Sequence, residues 1–294
     1  MFATVAATAT PGFWAWSIDP PLVLCVDLAI LYLIGARHTI TPARKRTAQR
    51  WRDACFYTGL LVLAIALASP IEPLSEQLFW VHMIQHVLLL ALAAPLIVLA
   101  RPWIRLWRCL PLDARRRLAR NLSHGRRTAP LRAVSHTLGR PVSGFLAFSV
   151  VLLAWHIPAL FDATLRSGGL HALEHSLFFA TAIMFWKQVI PSPPLHCRLV
   201  AAGRVVYAIG GMTVSWVLAV VLALAPHTLY PYYAHLTSRP GAITALADQQ
   251  LAAGVMWVPG SVTFLIVVFV YVHRWLAPPV APGSTPAPRL ASGH

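Results

Sequence analysis

The run from Leu78 to Ala100, LFWVHMIQHVLLLALAAPLIVLA, holds 23 residues without one Lys, Arg, Asp or Glu. A helix needs about 20 such residues to cross the hydrocarbon core of a bilayer, so this run demands a spanning helix. Comparable runs predict seven spans, near 21–36, 54–69, 78–100, 142–161, 170–190, 204–225 and 250–272. The chain is 57% hydrophobic and only 11% charged, against about 25% charged in a soluble domain. No soluble fold of 294 residues hides that much apolar surface. The expected fold is therefore all-α: a polytopic membrane protein with seven transmembrane helices. Residues 1–20 form an external lead-in, 21–276 the membrane domain, and 277–294, rich in Pro, Ala and Ser, a disordered cytoplasmic tail.

Basic residues orient the bundle, because cytoplasmic loops retain Lys and Arg. Six lie between the first two spans and eleven between the third and fourth, and in all 22 of 24 fall on one side. The N-terminus is then outside and the C-terminus inside. The net charge of +15 is accounted for by inner loops that meet anionic lipid, not nucleic acid. Within 101–140, Asp113 is expected to cap a short helix whose Leu118 and Leu122 share a face. Its arginines stay solvated, so it lies on the inner leaflet. The four cysteines are scattered and form no CxxC pair, so they suggest neither a disulfide framework nor a thiol metal carrier.

Polar residues inside such spans mark function. His82 and His86 are four residues apart on one helix face, with Gln85 beside them. The fifth span repeats the pattern as His171-Ala-Leu-Glu174-His175. In the predicted orientation His82 and His86 lie roughly 6 and 12 Å below the outer surface. His156, Asp162, Asp248, Met256 and Trp257 fall in the same outer half. Imidazole suits copper, zinc, iron and nickel, and a thioether selects Cu(I). The candidate ligands are thus His82, His86, His156, His171, His175, Glu174 and Met256. Glu174 and Gln85 would otherwise fix imidazole tautomers. Asp27, inside the first span, either reaches this cluster or bonds a neighbouring backbone.

Four motifs, in order, resemble the CtaG family of bacterial membrane proteins implicated in assembling caa-type cytochrome c oxidase. They are His82-Met83-x-Gln85-His86, Trp155-His156-x-Pro158 with Asp162, His171-x-x-Glu174-His175, and Asp248-Gln249 with Gly254 and Met256-Trp257. The resemblance covers roughly 78–272; the first two spans match mainly in hydropathy. It implies biogenesis of the oxidase, specifically of its copper centres, in the cytoplasmic (plasma) membrane, with oxidase subunits as partners. Phe161 stands where the pattern leads one to expect tyrosine. A single-span copper chaperone that shares the family's name carries a cysteine motif absent here, so its mechanism does not transfer.

The leading expectation is a non-enzymatic assembly factor that holds copper. A bis-His haem protein is the first alternative. The second is a membrane zinc hydrolase, in which His171-x-x-Glu174-His175 is the inverted zincin signature; Gln85, at the matching place in the third span, cannot act as a base.

Overall fold

The computed structural model describes Trp16 and residues 20–277, apart from His196 and Ser238. The expected lead-in and tail lie outside the described residues except for Trp16, Pro20 and Ala277. In chain order the helices are α1 (Pro20–Arg37), α2 (Arg46–Ala68), α3 (Ile71–Ser75), α4 (Phe79–Ala100), α5 (Trp103–Arg108), α6 (Leu112–His124) and α7 (Ala129–Leu138). Next come α8 (Pro141–Trp155), α9 (Pro158–Arg166), α10 (Gly168–Val189), α11 (Ala201–Leu224), α12 (Pro231–Ala234) and α13 (Ala245–Leu276). The described residues contain no strand, only an isolated bridge between Ser192 and Leu195.

Among the described residues, five helices are long and apolar enough to cross a membrane: α1, α2 with its leading 3-10 turn, α4, α11 and α13. The bent pair α7 and α8, at 79° to one another, makes a sixth if it is one span. Every apolar stretch read from the sequence carries a helix, but the fourth and fifth differ from the ideal. The hydropathy of the fourth runs to 161, yet α8 stops at Trp155. Pro158 disfavours helical backbone at the residue before it, and Ile157 is accordingly extended (φ −65°, ψ 124°). The fifth, α10, spends much of its length on His171, Glu174, His175, Lys187 and Gln188.

The central element is α4, the most buried of the candidate spans. Its Phe79, Met83, Ala94 and Val98 belong to one apolar core, with residues of α8, α10, α11 and α13. Its Leu89, Ala93, Ile97 and Ala100 belong to a second, with α1 and α2. A π-helical turn at Leu88–Ala93 lets one helix serve both. Each inserted residue turns the remainder of a helix by about 100°, and past the turn Ala94 and Val98 face the first core while Ile97 and Ala100 face the second. On the other side of the second core, α1 meets α5 at Gly35, where a Cβ would lie 1.9 Å from the Arg105 carbonyl oxygen. Only glycine permits that approach.

The basic segment folds as α6 and α7, which bury no residue. Leu118 and Leu122 are 39% and 38% exposed on an otherwise arginine-rich helix, which suits a surface-lying amphipathic helix. Asp113 sits in the first turn of α6, and Pro111 occupies the cap position without a side-chain cap. The acid therefore meets the helix dipole rather than capping the helix. Asp27 is exposed on α1 and is not among the residues gathered at the histidines.

Candidate metal centre

The first half of α4 presents His82 and His86, and α10 presents His171, Glu174 and His175 on successive turns; all five are buried. The Nε2 atoms of His82 and His86 stand 3.0 Å apart. The Glu174 carboxylate reaches both, at 3.7 Å from His82 Nε2 and 3.5 Å from His86 Nε2. One ligand atom from each of His82, His86, Glu174 and His175 lies within 4.8 Å of the others. Four ligands about 2.0–2.1 Å from a tetrahedral metal stand about 3.3–3.4 Å apart, close to the three separations above.

A test of fit is whether anything else satisfies the carboxylate. Neither Glu174 oxygen accepts a hydrogen bond from the protein. The Thr164 hydroxyl lies near it but donates to the Phe161 carbonyl at 2.7 Å. A buried carboxylate without donors is costly unless a cation or proton accompanies it. Three imidazoles converging on it make a metal ion fit that need. Phe161 packs tilted against His82 (ring centroids 4.8 Å apart) and Phe178 against His86 (4.5 Å), which closes the flanks with apolar walls.

A second group overlaps the first. Glu72, His171 and His175 also hold ligand atoms within 4.8 Å of one another. His171 Nδ1 is 3.4 Å from Glu72 Oε1, and Gln85 donates through Nε2 to Glu72 Oε2 at 2.5 Å and to the Ala66 carbonyl at 2.8 Å. Gln85 thus orients the second carboxylate instead of touching a histidine ring.

His156 lies one layer further on. Its Nδ1 is 2.7 Å from the Leu152 carbonyl oxygen, which only accepts, so in the neutral ring Nδ1 carries the proton and Nε2 the lone pair. That lone pair faces Met83 Sδ at 3.4 Å. An imidazole nitrogen beside a soft thioether suits a copper(I) ion. Met256 lines a narrow cavity of about 30 Å³ with His86 and His156, beside the main group and not in it.

The joint between α11 and α13 closes over these residues. Tyr230 and Tyr233 pack against Phe79, and each is 1% exposed. The Tyr230 hydroxyl donates to the His156 carbonyl at 3.1 Å and that of Tyr233 to the Ser75 carbonyl at 2.5 Å. Asp162 accepts from the Tyr232 N–H at 3.1 Å. Burial under this joint raises the Asp162 carboxyl above its usual range, against the pull of that N–H and of Arg166. Asp248 accepts from the first N–H groups of α4, at Phe79 and Trp80, and so fixes where the helix begins.

The structure therefore brings His82, His86, His171, Glu174 and His175 together and sets His156 and Met256 at the margin. Sequence reasoning missed Glu72 and Met83. Both left a signal: Glu72 is one of only nine acids in the chain, in the joint before the His82 span, and Met83 belongs to the motif itself.

Fold and site define a class: a helical protein with several candidate membrane spans around a buried imidazole–carboxylate cluster. The profile of the cytochrome c oxidase caa3 assembly factor family (Caa3_CtaG) matches residues 30–277. The chain belongs to that family. It is 24% identical, over 93% of its length, to an uncharacterized protein of Mycobacterium bovis. A Mycobacterium tuberculosis protein, also uncharacterized, matches equally, at 24% identity over 93% of the chain. In both cases the chain covers 43% of the relative, less than half of its length. No solved structure matches the chain.

Proposed function

We propose that this chain holds copper for the assembly of cytochrome c oxidase in the bacterial plasma membrane, without catalysing a reaction itself. One observation carries the reading: four buried ligand atoms, from His82, His86, Glu174 and His175, within 4.8 Å of one another. Copper is cargo, to be held and released to an oxidase subunit. The family to which the chain belongs supports the oxidase as client. The Met83 thioether facing His156 supports copper over zinc, since thioethers select Cu(I). In this reading seven helices span the bilayer with the N-terminus outside, and the basic inner loops rest on anionic lipid.

Spacing disfavours the haem alternative. The rings of His82, His86, His171 and His175 lie 4.2–5.9 Å apart where their centroids approach, under the Phe161 and Phe178 walls. A porphyrin about 10 Å wide needs histidines on opposite sides of an open slot. Against the hydrolase stands Glu174 itself, which sits at ligand distance from His82 and His86 rather than behind a metal-bound water.

The experiment is complementation. Cells deleted for their own copy and supplied with wild-type protein should assemble copper-replete oxidase, while cells supplied with His86→Ala protein, present at normal level, should accumulate oxidase short of copper. Normal oxidase copper with His86→Ala would defeat the proposal.

A further inference from the structure

We propose that Glu72 and His171, with His175, form a loading site through which a copper ion passes between an open cavity and the buried centre. The inference rests on the copper reading above and adds the route.

A cavity of about 700 Å³ lies beside the histidines, between α1, α2, α3 and α10. Its wall is largely apolar and includes Leu24, Leu28, Leu63 and Leu67. Its polar lining includes Glu72, Glu76, His171 and His175. The rim residues Pro20, Leu24, Glu76, Ala172 and Ser176 are exposed, so the cavity opens at the surface. In a chain of net charge +15 this mouth carries two of the nine acids, the sign that draws a cation inward.

Burial grades along the route. Glu76 is exposed at the rim. The Glu72 side chain is 30% exposed and that of His171 8%. Glu174 and His82 are fully buried. On the other side, the buried Tyr230 and Tyr233 of the joint between α11 and α13 pack on Phe79 and cover the centre.

His175 is the hinge of the route because it belongs to both groups. Its Nε2 is buried and makes no hydrogen bond, and the same is true of His171 Nε2. A neutral imidazole offers one lone pair, so His175 serves one ion at a time. The two groups are thus successive positions of a single ion. The ion enters on Glu72, His171 and His175, keeps His175, and exchanges Glu72 and His171 for His82, His86 and Glu174. The copper keeps its oxidation state, and each dative bond broken is replaced by another. Gln85 holds Glu72 by its second oxygen, which leaves Oε1 toward His171.

The test uses the full chain in detergent, loaded from a copper(I) buffer and unloaded by a colour-forming copper(I) chelator. Wild-type protein should hold one ion. Glu72→Gln and His171→Ala should reach the same occupancy but load and unload about tenfold more slowly, the low end of what a lost supporting group costs at a metal. Leu28→Trp, which narrows the cavity without touching a ligand, should slow exchange in the same way. Wild-type exchange rates in all three variants at full occupancy would overturn the relay and leave the centre standing. Loss of the ion in Glu72→Gln would also overturn it, by making Glu72 part of the retaining site. No copper on wild-type protein would remove the copper reading and the relay with it.

Discussion

Replacing Asp248 should loosen the site from a distance. Its two carboxylate oxygens accept from the backbone N–H groups of Phe79 (3.0 Å) and Trp80 (2.9 Å), across 169 and 168 residues of sequence. The carboxylate is fully buried, so no water stands ready to replace it. A hydrogen bond to a charged acceptor contributes about 1.5–3 kcal/mol, and an acid at a helix N-terminus adds about 0.3–1 kcal/mol. Asp248→Ala should therefore cost about 3–6 kcal/mol. Asp248→Asn keeps one acceptor and turns an N–H toward the other donor, so its cost should be about half. His82 lies one turn beyond this cap, so a displaced helix start also moves its Nε2 away from His86 and Glu174. Denaturant unfolding in detergent, with tryptophan fluorescence as the signal, measures the stability. Asp248→Ala within about 0.5 kcal/mol of wild type would refute the reasoning, because a loss that small excludes any buried bond to a charged acceptor.

Other outcomes rest on the packing and on the ligand chemistry. Gly35→Ala should destabilise the protein by about 1–3 kcal/mol, since its Cβ would collide with the Arg105 backbone and prise α5 from α1; the same unfolding assay measures it. Glu174→Gln keeps shape and a ligand oxygen, so it should retain part of the oxidase-assembly function in complemented cells, and Glu174→Leu should lose more. Full loss in Glu174→Gln with normal copper content would favour the hydrolase. Reporter fusions at Arg117 and at the C-terminus should report the cytoplasm, and one at Thr237 the exterior; the reverse pattern would overturn the outer placement of the site.

The helices are legible in the sequence because each apolar run is long, and the two His pairs because four-residue spacing puts both rings on one face. Glu174 is legible for the same reason. Glu72 is not, because the five-residue α3 that carries it meets His171 about a hundred residues later in the chain, and no periodicity links them. Met83 gives little signal, since it shares no face with His82 and His86 on an ideal helix, yet it points across to the end of α8, where His156 waits. The π turn after Val87 and the early end of α8 differ in how they announce themselves. Pro158 marks the second, while nothing in LLLALA marks the first. Gln85 shows how a correct residue receives the wrong neighbour: its partners are Glu72 and a backbone carbonyl, both outside its own helix.

The central claim is that the buried cluster retains copper, and copper content tests it most directly. Wild-type protein loaded with copper(I) and passed through a desalting column should keep one ion per chain. His86→Ala and His175→Ala should each lose most of it, because each removes one imidazole from the four-ligand group. His136→Ala, on the exposed face of α7, should keep it all. Equal copper in all four proteins, or none in the wild type, would contradict the account.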